Sequence, residues 1–343
     1  MRIDSNTEMK HPEISVVAPV FNEEAGVNEL VERVAKSCSD ARENFEIIIV
    51  NDGSRDATLG RLIEASRSIP GLRVINLYRN FGPMAAVSAG ISAARGNAVI
   101  TIDGDMQDPP ELIPKMVKLW RDGADVVYCE RIERAENFVV RTLISAFYWL
   151  FERLSDTDIP KQAGTFGLMD RRVVDILVAM PERHRYLAGL RSWIGGRQEK
   201  LEYTREVRKF GTTQQGLRGL FSHARLGVVS FSKVPLRLAS ILSLLTSVML
   251  LGVSLFAVAV RVGTDLAIPG WATYTALIGG MGFVQSLVLG VIAEYLGAIF
   301  DEVKARPVFL AKEEFVNGES ATSVDGSSAR GSSVDKDKDA ATR

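Results

Sequence analysis

The chain has 343 residues, 46% of them apolar, and its 41 lysines and arginines nearly balance its 42 aspartates and glutamates. With 29 glycines, 12 prolines and 2 cysteines, its composition excludes the collagen-like, wholly disordered and disulfide-stapled classes. We expect Cys38 and Cys129 to be reduced, buried thiols. Residues 1–12 are polar and lack the short apolar core of a secretory signal, so they predict a flexible N-terminus without a signal peptide.

From residue 13 onward, short apolar runs alternate with helical patterns, as repeated strand–helix units do. The runs are nearly continuous in apolarity, which is typical of strands buried on both faces of a parallel sheet. The predicted strands are Ile14–Val20, Phe45–Val50, Leu72–Leu77, Ala98–Ile102 and Asp125–Tyr128. The predicted helices between them are Ala25–Lys36, Thr58–Ser66, Met84–Ala94 and Glu111–Arg121. Together they predict an open, doubly wound, mostly parallel α/β sheet that binds its ligand at the carboxyl ends of the strands.

The segment 138–154 is too apolar for a solvated helix and too short to span a bilayer. Its aromatic residues cluster between Phe147 and Phe151, and arginines lie towards both of its ends. This composition fits a helix in the membrane interface, and it fits equally a helix buried against the sheet. The sequence leaves both interpretations open.

Two long stretches lack any charge, one of 23 residues ending before Arg261 and one of 28 residues ending before Glu294. Each exceeds the roughly 20 residues that a helix needs to cross about 30 Å of hydrocarbon. We therefore predict a hairpin of two transmembrane helices, 234–261 and 266–293. Two long buried helices of a soluble domain are the less favoured interpretation.

The distribution of lysine and arginine predicts the orientation of this hairpin. Seven Lys or Arg residues stand against one acid between Arg205 and Arg237, and three more follow the second stretch, whereas the loop between the stretches carries one charge of each sign. We therefore expect a multi-pass protein of the inner membrane, with the α/β domain and both termini in the cytoplasm. A basic segment beside a membrane span favours anionic lipid over nucleic acid as a partner.

The segments that flank the hairpin also have distinct compositions. We expect residues 208–233 to form a juxtamembrane amphipathic segment and residues 294–316 to form a cytoplasmic one. Residues 317–343 are rich in Ser, Gly, Asp and Lys, and predict a disordered tail. Small residues in the second stretch offer a face through which two copies could associate as a homo-oligomer. These residues are Gly279, Gly280, Gly282 and Gly290.

Acidic residues follow three of the predicted strands where each strand ends. Asp103 and Asp105 come directly after the fourth strand, Asp52 follows the second, and Asn22 and Glu23 follow the first. Carboxylates two positions apart beyond a strand end can reach one divalent cation or one nucleotide, and oxygen ligands suit Mg²⁺ or Mn²⁺. An isolated Asp-x-Asp is frequent in polar loops, but three acidic strand ends on one edge of a sheet predict a ligand site there.

These motifs together resemble family 2 glycosyltransferases with the GT-A fold, in the branch that transfers a sugar from a nucleotide to a polyprenyl phosphate. The resemblance covers about residues 14–310. The branch includes bacterial undecaprenyl-phosphate (bactoprenol) glucosyltransferases and dolichol-phosphate mannose synthases, and the chain is similar to both. It implies a GT-A domain over residues 13–207. The motifs that carry it are Pro19–Glu24, Asp52–Ser54, Arg79–Gly82, Asp103–Pro110, Leu168–Val174, Glu182–Arg185 and Glu302–Pro307.

The resemblance also implies roles for individual residues. Asp103, Asp105 and Gln107 would ligate Mg²⁺ or Mn²⁺, and Asp105 with Arg131 would be catalytic. The nucleotide would be held by Pro19, Asn22, Glu23, Asp52, Asp103 and Gly104. Our candidates for binding the acceptor phosphate are Arg131, Arg134, Arg208 and Lys209. The implied reaction is the inverting transfer of a hexose from a nucleotide sugar, with UDP-glucose favoured over GDP-mannose and a UDP-aminoarabinose derivative, to a polyprenyl phosphate.

Two positions depart from the pattern of these relatives. Thr165 stands where many carry an acid, and Gln214 stands where related chains often carry a basic residue. A phosphate acceptor is largely ionised at neutral pH, since its second pKa is roughly 6, so it can attack without a general base. Asp156 and Asp158 lie near this site in sequence, and we favour a turn-capping role for them. The rival functions are a processive polysaccharide synthase and a non-catalytic membrane scaffold that binds a nucleotide sugar.

Overall fold

The computed structural model describes residues 11–131, 163–183, 185–204, 234–263 and 271–321. They belong to two compact units. The first unit contains the described residues up to 204 together with residues 307–321, and the second contains the described residues between 234 and 306.

Among the described residues, a nine-stranded mixed sheet forms the centre of the first unit. The strands are β1 (Ile14–Val20), β2 (Phe45–Asn51), β3 (Leu72–Leu77), β4 (Ala98–Thr101), β5 (Val126–Arg131), β6 (Ala163–Asp170), β7 (Gln198–Tyr203), β8 (Ala311–Val316) and β9 (Glu319–Ala321). Their order across the sheet is β7-β5-β6-β4-β1-β2-β3-β8-β9. The central strands β4, β1, β2 and β3 are parallel, and Val20 of β1 lies opposite Asn51 of β2. Their carboxyl ends therefore meet at one edge.

Helices cover both faces of the parallel strands. They are α1 (Val27–Asp40), α2 (Thr58–Ser68), α3 (Pro83–Ala93), α4 (Ile113–Arg121), α5 (Arg171–Ala179) and α6 (Leu187–Ile194), with a 3₁₀ turn at Pro110–Leu112. Helix α1 packs beside α2 and α4, whereas α3 packs on β1 and β2 and beside α5. Helix α3 lies very close to the sheet, because a Cβ atom at Gly90 would come within 2.2 Å of Val17.

The five predicted strands and four predicted helices of the first half are confirmed, with shifts of a few residues at their ends. Helix α1 begins later than predicted, because the backbone amides of Gly26 and Val27 both donate to the Glu23 carbonyl and form a turn there, and it continues to Asp40. Strand β5 extends to Arg131, which we expected just beyond the strand. Cys38 and Cys129 are buried and free, and burial raises the pKa of each thiol to about 12.

Strands β6 to β9 were not predicted. Within the expected amphipathic segment 294–316, Ala311–Val316 instead forms β8, which pairs antiparallel with β3. The short strand β9 lies inside the tail that we expected to be disordered from residue 317. A largely buried ion pair explains the docking of β8, because Arg73 Nε of β3 donates to Glu314 Oε1 over 2.7 Å.

A buried group of charges lies at the opposite edge of the sheet from the acidic strand ends. Glu46 is 2% exposed. One of its oxygens accepts from the Ser15 hydroxyl (2.6 Å) and the Arg95 amide (2.7 Å), and the other accepts from the Arg73 and Arg95 guanidinium groups (both 2.9 Å). Burial favours a raised pKa for Glu46, but these hydrogen bonds outweigh it and hold the pKa below its usual value. This carboxylate therefore links β1, β2 and β3 to the segment that precedes β4.

The second unit is helical. Helix α7 (Val234–Gly263) and helix α8 (Trp271–Lys304) pack against each other. Among the described residues one helical stretch, Gly280–Lys304, is long and apolar enough to cross a membrane, with a mean hydropathy of 1.8. The apolar stretch found in α7, Leu238–Leu250, is shorter than that. The predicted hairpin of two spans is therefore not confirmed, and the qualifying stretch lies later in the chain than the predicted second span.

Candidate active site at the carboxyl ends of the parallel strands

The loop after β1 is held against the loop after β2 by hydrogen bonds. The Asn22 amide donates to the Ser54 hydroxyl, its side-chain oxygen accepts from the Arg55 amide, and both distances are 2.9 Å. The Glu23 amide donates to the Thr58 hydroxyl over 3.0 Å. Asn22 has a φ of 54°, a conformation that asparagine tolerates better than most residues. Asn22 and Glu23, both predicted to bind the nucleotide, are thus fixed beside the end of β2.

Asp52 shapes the loop that follows β3. Its two carboxylate oxygens accept from the backbone amides of Phe81 (2.8 Å) and Gly82 (2.9 Å), and the residue is 3% exposed. Burial raises the pKa of Asp52, although the two amides and Arg79 oppose that shift. The neighbouring Gly53 has a φ of 67°, and a Cβ atom there would lie 2.5 Å from the Arg79 carbonyl carbon. The loop after β3 is therefore closely packed on the end of β2.

The acidic loop after β4 lies against the end of β1. A Cβ atom at Gly104 would come within 2.2 Å of the Pro19 carbonyl oxygen, so this close approach requires glycine. Side chains alternate along the loop, with Asp103, Asp105 and Gln107 partly exposed and the residues between them buried. The backbone amide of Gln107 donates to Asp105 Oδ1 over 3.2 Å. The loop thus presents the three predicted metal ligands on one side, beside Pro19.

Arg131 reaches this loop from β5. Its Nη2 atom lies 3.7 Å from Asp103 Oδ2, and its Nε donates to the Tyr203 hydroxyl over 3.1 Å. The Tyr203 hydroxyl in turn donates to Asp108 Oδ1 over 2.5 Å. Burial, with the nearby Asp108 carboxylate, raises the pKa of Tyr203 well above its usual value, so it remains a neutral hydroxyl. These contacts form a chain from Asp108 through Tyr203 and Arg131 to Asp103.

Strand β6 supplies a further contact to Asp103, from the residue that departs from the pattern of the relatives. The Thr165 hydroxyl donates to Asp103 Oδ1 over 2.6 Å. The fully buried Arg191 of α6 donates to the Gly164 carbonyl over 2.6 Å and to the Thr165 carbonyl over 3.4 Å. Sequence reasoning gave no binding or positioning role to Thr165, Tyr203, Asp108 or Arg191. Two signals were available in the sequence: Asp108 belongs to the acidic motif, and Thr165 departs from the pattern of the relatives.

The side chains of Asp103, Asp105 and Gln107 can supply two carboxylates and one amide oxygen. Among the described residues no group of three or more His, Cys, Asp or Glu side chains could hold a metal ion by itself. This donor set fits Mg²⁺ or Mn²⁺, because Mg²⁺ in particular is usually held by one or two carboxylates, with substrate phosphates and water as the other ligands. The residues present therefore fit a metal that is completed by its substrate.

Some predicted site residues fall outside the described parts of the chain. They are Arg134, Arg208 and Lys209, together with Asp156, Asp158 and the segment 138–154. The structure does bring together the predicted residues that follow the ends of β1, β2 and β4, and it places Arg131 of β5 beside them.

The chain is similar in sequence to known proteins over most of its length. The model of glycosyl transferase family 2 matches residues 15–177. An uncharacterized glycosyltransferase of Synechocystis sp. is 41% identical over 88% of this chain and 95% of its own. The uncharacterized glycosyltransferase YkcC of Bacillus subtilis is 37% identical, over 89% and 95%. A prophage bactoprenol glucosyl transferase homolog of Escherichia coli is 35% identical, over 87% and 98%.

Proposed function

Because this chain belongs to glycosyl transferase family 2 and is a glycosyltransferase with a GT-A-like α/β fold, we propose that it transfers a hexose from a nucleotide sugar to a polyprenyl phosphate. The proposal rests on one observation: the acidic loop with Asp103, Asp105 and Gln107 and the side chain of Arg131 lie together at one edge of the sheet. Arg131 Nη2 lies 3.7 Å from Asp103 Oδ2, and the Gln107 backbone amide donates to Asp105 Oδ1. The bactoprenol named in the Escherichia coli relative is the acceptor class that we extend to this chain.

The donor nucleotide would lie at the ends of β1 and β2. Pro19, Asn22, Glu23 and Gly104 form the closely packed edge there, and Asp103 stands beside it. We favour UDP-glucose, with GDP-mannose and a UDP-aminoarabinose derivative as alternative donors. Asp52 would act on the nucleotide mainly through the loop that it holds, because both of its oxygens already accept backbone amides.

A divalent ion bound by Asp103, Asp105 and Gln107 would offset the negative charge that develops on the leaving diphosphate. Arg131 adds a fixed positive charge at the same place. Its interactions with Tyr203, Asp108 and Asp103 outweigh the effect of burial and raise its pKa, so it stays protonated. A guanidinium group suits phosphate because its N–H groups can donate to two oxygens at once.

The acceptor phosphate would attack the anomeric carbon directly and invert its configuration. Since the second pKa of a phosphate monoester is roughly 6, the attacking oxygen needs no general base. That chemistry is compatible with the neutral Thr165 beside Asp103. Arg131, and Arg134, Arg208 and Lys209 of the segments outside the described residues, are our candidates for binding this phosphate.

A polyprenyl phosphate is held in a membrane, and we propose that α7 and α8 form a two-span anchor that keeps the enzyme beside it. Helices of 30 and 34 residues measure about 45 and 51 Å, longer than the roughly 30 Å of hydrocarbon in a bilayer. Several large apolar side chains on both helices are more than 60% exposed, among them Leu244, Phe256 and Phe283, which is unusual for a helix surface in water. The excess of lysine and arginine before α7 favours a cytoplasmic location for the catalytic domain and both termini.

The proposal is tested with the full-length protein in detergent, undecaprenyl phosphate, Mn²⁺ or Mg²⁺ and a panel of radiolabelled nucleotide sugars. We expect label from UDP-glucose in the organic phase and its loss when EDTA removes the metal. Label from GDP-mannose alone would correct the donor and keep the acceptor. The absence of lipid-linked label with every donor, while a related enzyme works in the same assay, would refute the proposal.

A further inference from the structure

Thr165 and Arg191 hold Asp103 from the side of β6. The Thr165 hydroxyl donates to Asp103 Oδ1, and the Thr165 carbonyl accepts from both the Thr101 hydroxyl and Arg191 Nη1. Arg191 Nη2 donates to the adjacent Gly164 carbonyl. Two neighbouring carbonyls are therefore fixed by one guanidinium group, and the hydroxyl between them points at the acidic loop.

Arg191 is an unusual residue to find in the interior. It is 2% exposed, and its Nε donates to no acceptor within the described part of the chain. Burial lowers the pKa of Arg191 to about 10, so the side chain is still protonated at neutral pH. A buried cation that faces carbonyl groups costs free energy compared with an apolar side chain of the same size. What its position provides in return is a pair of hydrogen bonds to the Gly164 and Thr165 carbonyls.

The local sequence leaves room for this guanidinium group. A Cβ atom at Gly167 would lie 2.9 Å from Arg191 Nη1 and 2.4 Å from the Val127 carbonyl oxygen. Between the two glycines of the segment 164–167, Phe166 packs edge-on against Tyr203, with the ring centres 5.5 Å apart. The segment is thus built tightly around Arg191, and its hydrogen bond to the acidic loop comes from Thr165.

We propose that Thr165 is a positioning residue for Asp103 and that Arg191 holds Thr165 in place. The inference rests on the proposed function, since it concerns how Asp103 meets the metal and the donor diphosphate. The hydroxyl fixes Oδ1 and thereby sets the direction in which the carboxylate is presented. Because threonine is neutral, it does this without adding a third negative charge beside Asp103 and Asp105. The pair therefore governs binding of the metal and the donor rather than of the lipid acceptor.

The test compares Thr165→Val, which keeps the shape and removes the hydroxyl, with Thr165→Ser, which keeps the hydroxyl. Binding of Mn²⁺ to the full-length protein in the presence of UDP is measured from the electron paramagnetic resonance signal of the free ion. Steady-state kinetics give KM for UDP-glucose and for undecaprenyl phosphate. Thr165→Val is expected to weaken Mn²⁺ binding and raise KM for the donor about tenfold, the effect of losing one hydrogen bond to a charged group. Thr165→Ser should remain close to the wild type, and KM for the acceptor should be unchanged in both.

Three results would overturn the inference. If Thr165→Val binds Mn²⁺ and donor as the wild type does, Thr165 does not position Asp103. If Thr165→Ser is as impaired as Thr165→Val, shape rather than the hydroxyl matters. If Arg191→Lys, which cannot reach both carbonyls, leaves KM for the donor unchanged, Arg191 does not hold Thr165. A wild-type protein that binds no Mn²⁺ with either UDP or GDP would instead refute the metal-dependent transfer that we propose, and the inference with it.

Discussion

Tyr203 is the residue whose replacement most directly tests the chain of contacts to Arg131. Replacing it with phenylalanine removes one oxygen atom and keeps the ring that packs on Phe166. Two hydrogen bonds with charged partners disappear, one to Asp108 over 2.5 Å and one from Arg131 over 3.1 Å. Each such bond contributes about 1.5–3 kcal/mol, but water can replace the one to Arg131, whose side chain is 31% exposed. Because Asp108 is fully buried and loses this donor, we expect a loss at the upper end of that range, about 3 kcal/mol in the free energy of unfolding.

For a domain of this size a loss of about 3 kcal/mol lowers the melting temperature by roughly 6–12 °C. Arg131 also loses its anchor beside Asp103, so kcat/KM for transfer should fall by at least about tenfold. Differential scanning calorimetry measures the first effect and the transfer assay the second. The matched control is Tyr78→Phe, which removes a hydroxyl from a tyrosine that is 65% exposed. A Tyr203→Phe protein that melts and turns over like the control would refute the proposed chain of contacts.

Three further substitutions test other parts of the account. Gly104→Ala should reduce transfer by about a hundredfold, because the new Cβ forces the acidic loop away from Pro19. The control is Gly60→Ala, since the space around Gly60 is open, and equal activity of the two variants would contradict this reasoning. Glu314→Ala should cost about 1.5–3 kcal/mol by removing one of the two carboxylate partners of Arg73, the other being Glu46. Glu313→Ala, at a more exposed side chain, should cost little, and equal melting temperatures of the two variants would show that the ion pair does not hold β8. Glu46→Gln should destabilise the protein at pH 7, because the fold lowers the pKa of Glu46 and so stabilises its ionised form. That stabilisation is present above the ordinary pKa of 4.5 and disappears as the pH falls through the lowered value, so the melting temperatures of variant and wild type should converge on acidification; a difference that grows in acid would contradict the assignment.

The parallel half of the sheet could be predicted from the sequence because its strands are buried on both faces. In Phe45–Asn51, for example, Ile47–Val50 is a continuous apolar run, and short runs of this kind are typical of strands in the interior of a parallel sheet. Once these strands were predicted to be parallel, the acidic residues that follow them could be placed at one edge of the sheet, since the carboxyl ends of parallel strands coincide there. Arg131 was also named from the sequence as a candidate site residue, although it is the last residue of β5 rather than a residue beyond that strand.

The other strands gave no comparable signal. Strand β7 has the sequence QEKLEY and β8 has AKEEFV, so charged residues interrupt both apolar patterns. Strand β6 contains two glycines and pairs antiparallel between β4 and β5, an arrangement that depends on contacts distant in sequence. Thr165 and Tyr203 belong to these strands, and Arg191 reaches the site from α6. Their contacts to Asp103, Asp108 and Arg131 became visible only with the fold.

The mass spectrum of the lipid product tests the central claim most directly. The full-length protein is incubated with UDP-glucose, Mn²⁺ and undecaprenyl phosphate, and Asp105→Asn serves as the matched control that lacks one carboxylate of the proposed metal site. We predict that the wild type converts the lipid to a species heavier by one hexose and that the control does not. Equal amounts of hexosyl lipid from both proteins would contradict the metal assignment, and no hexosyl lipid from the wild type with any nucleotide sugar would contradict the proposed function.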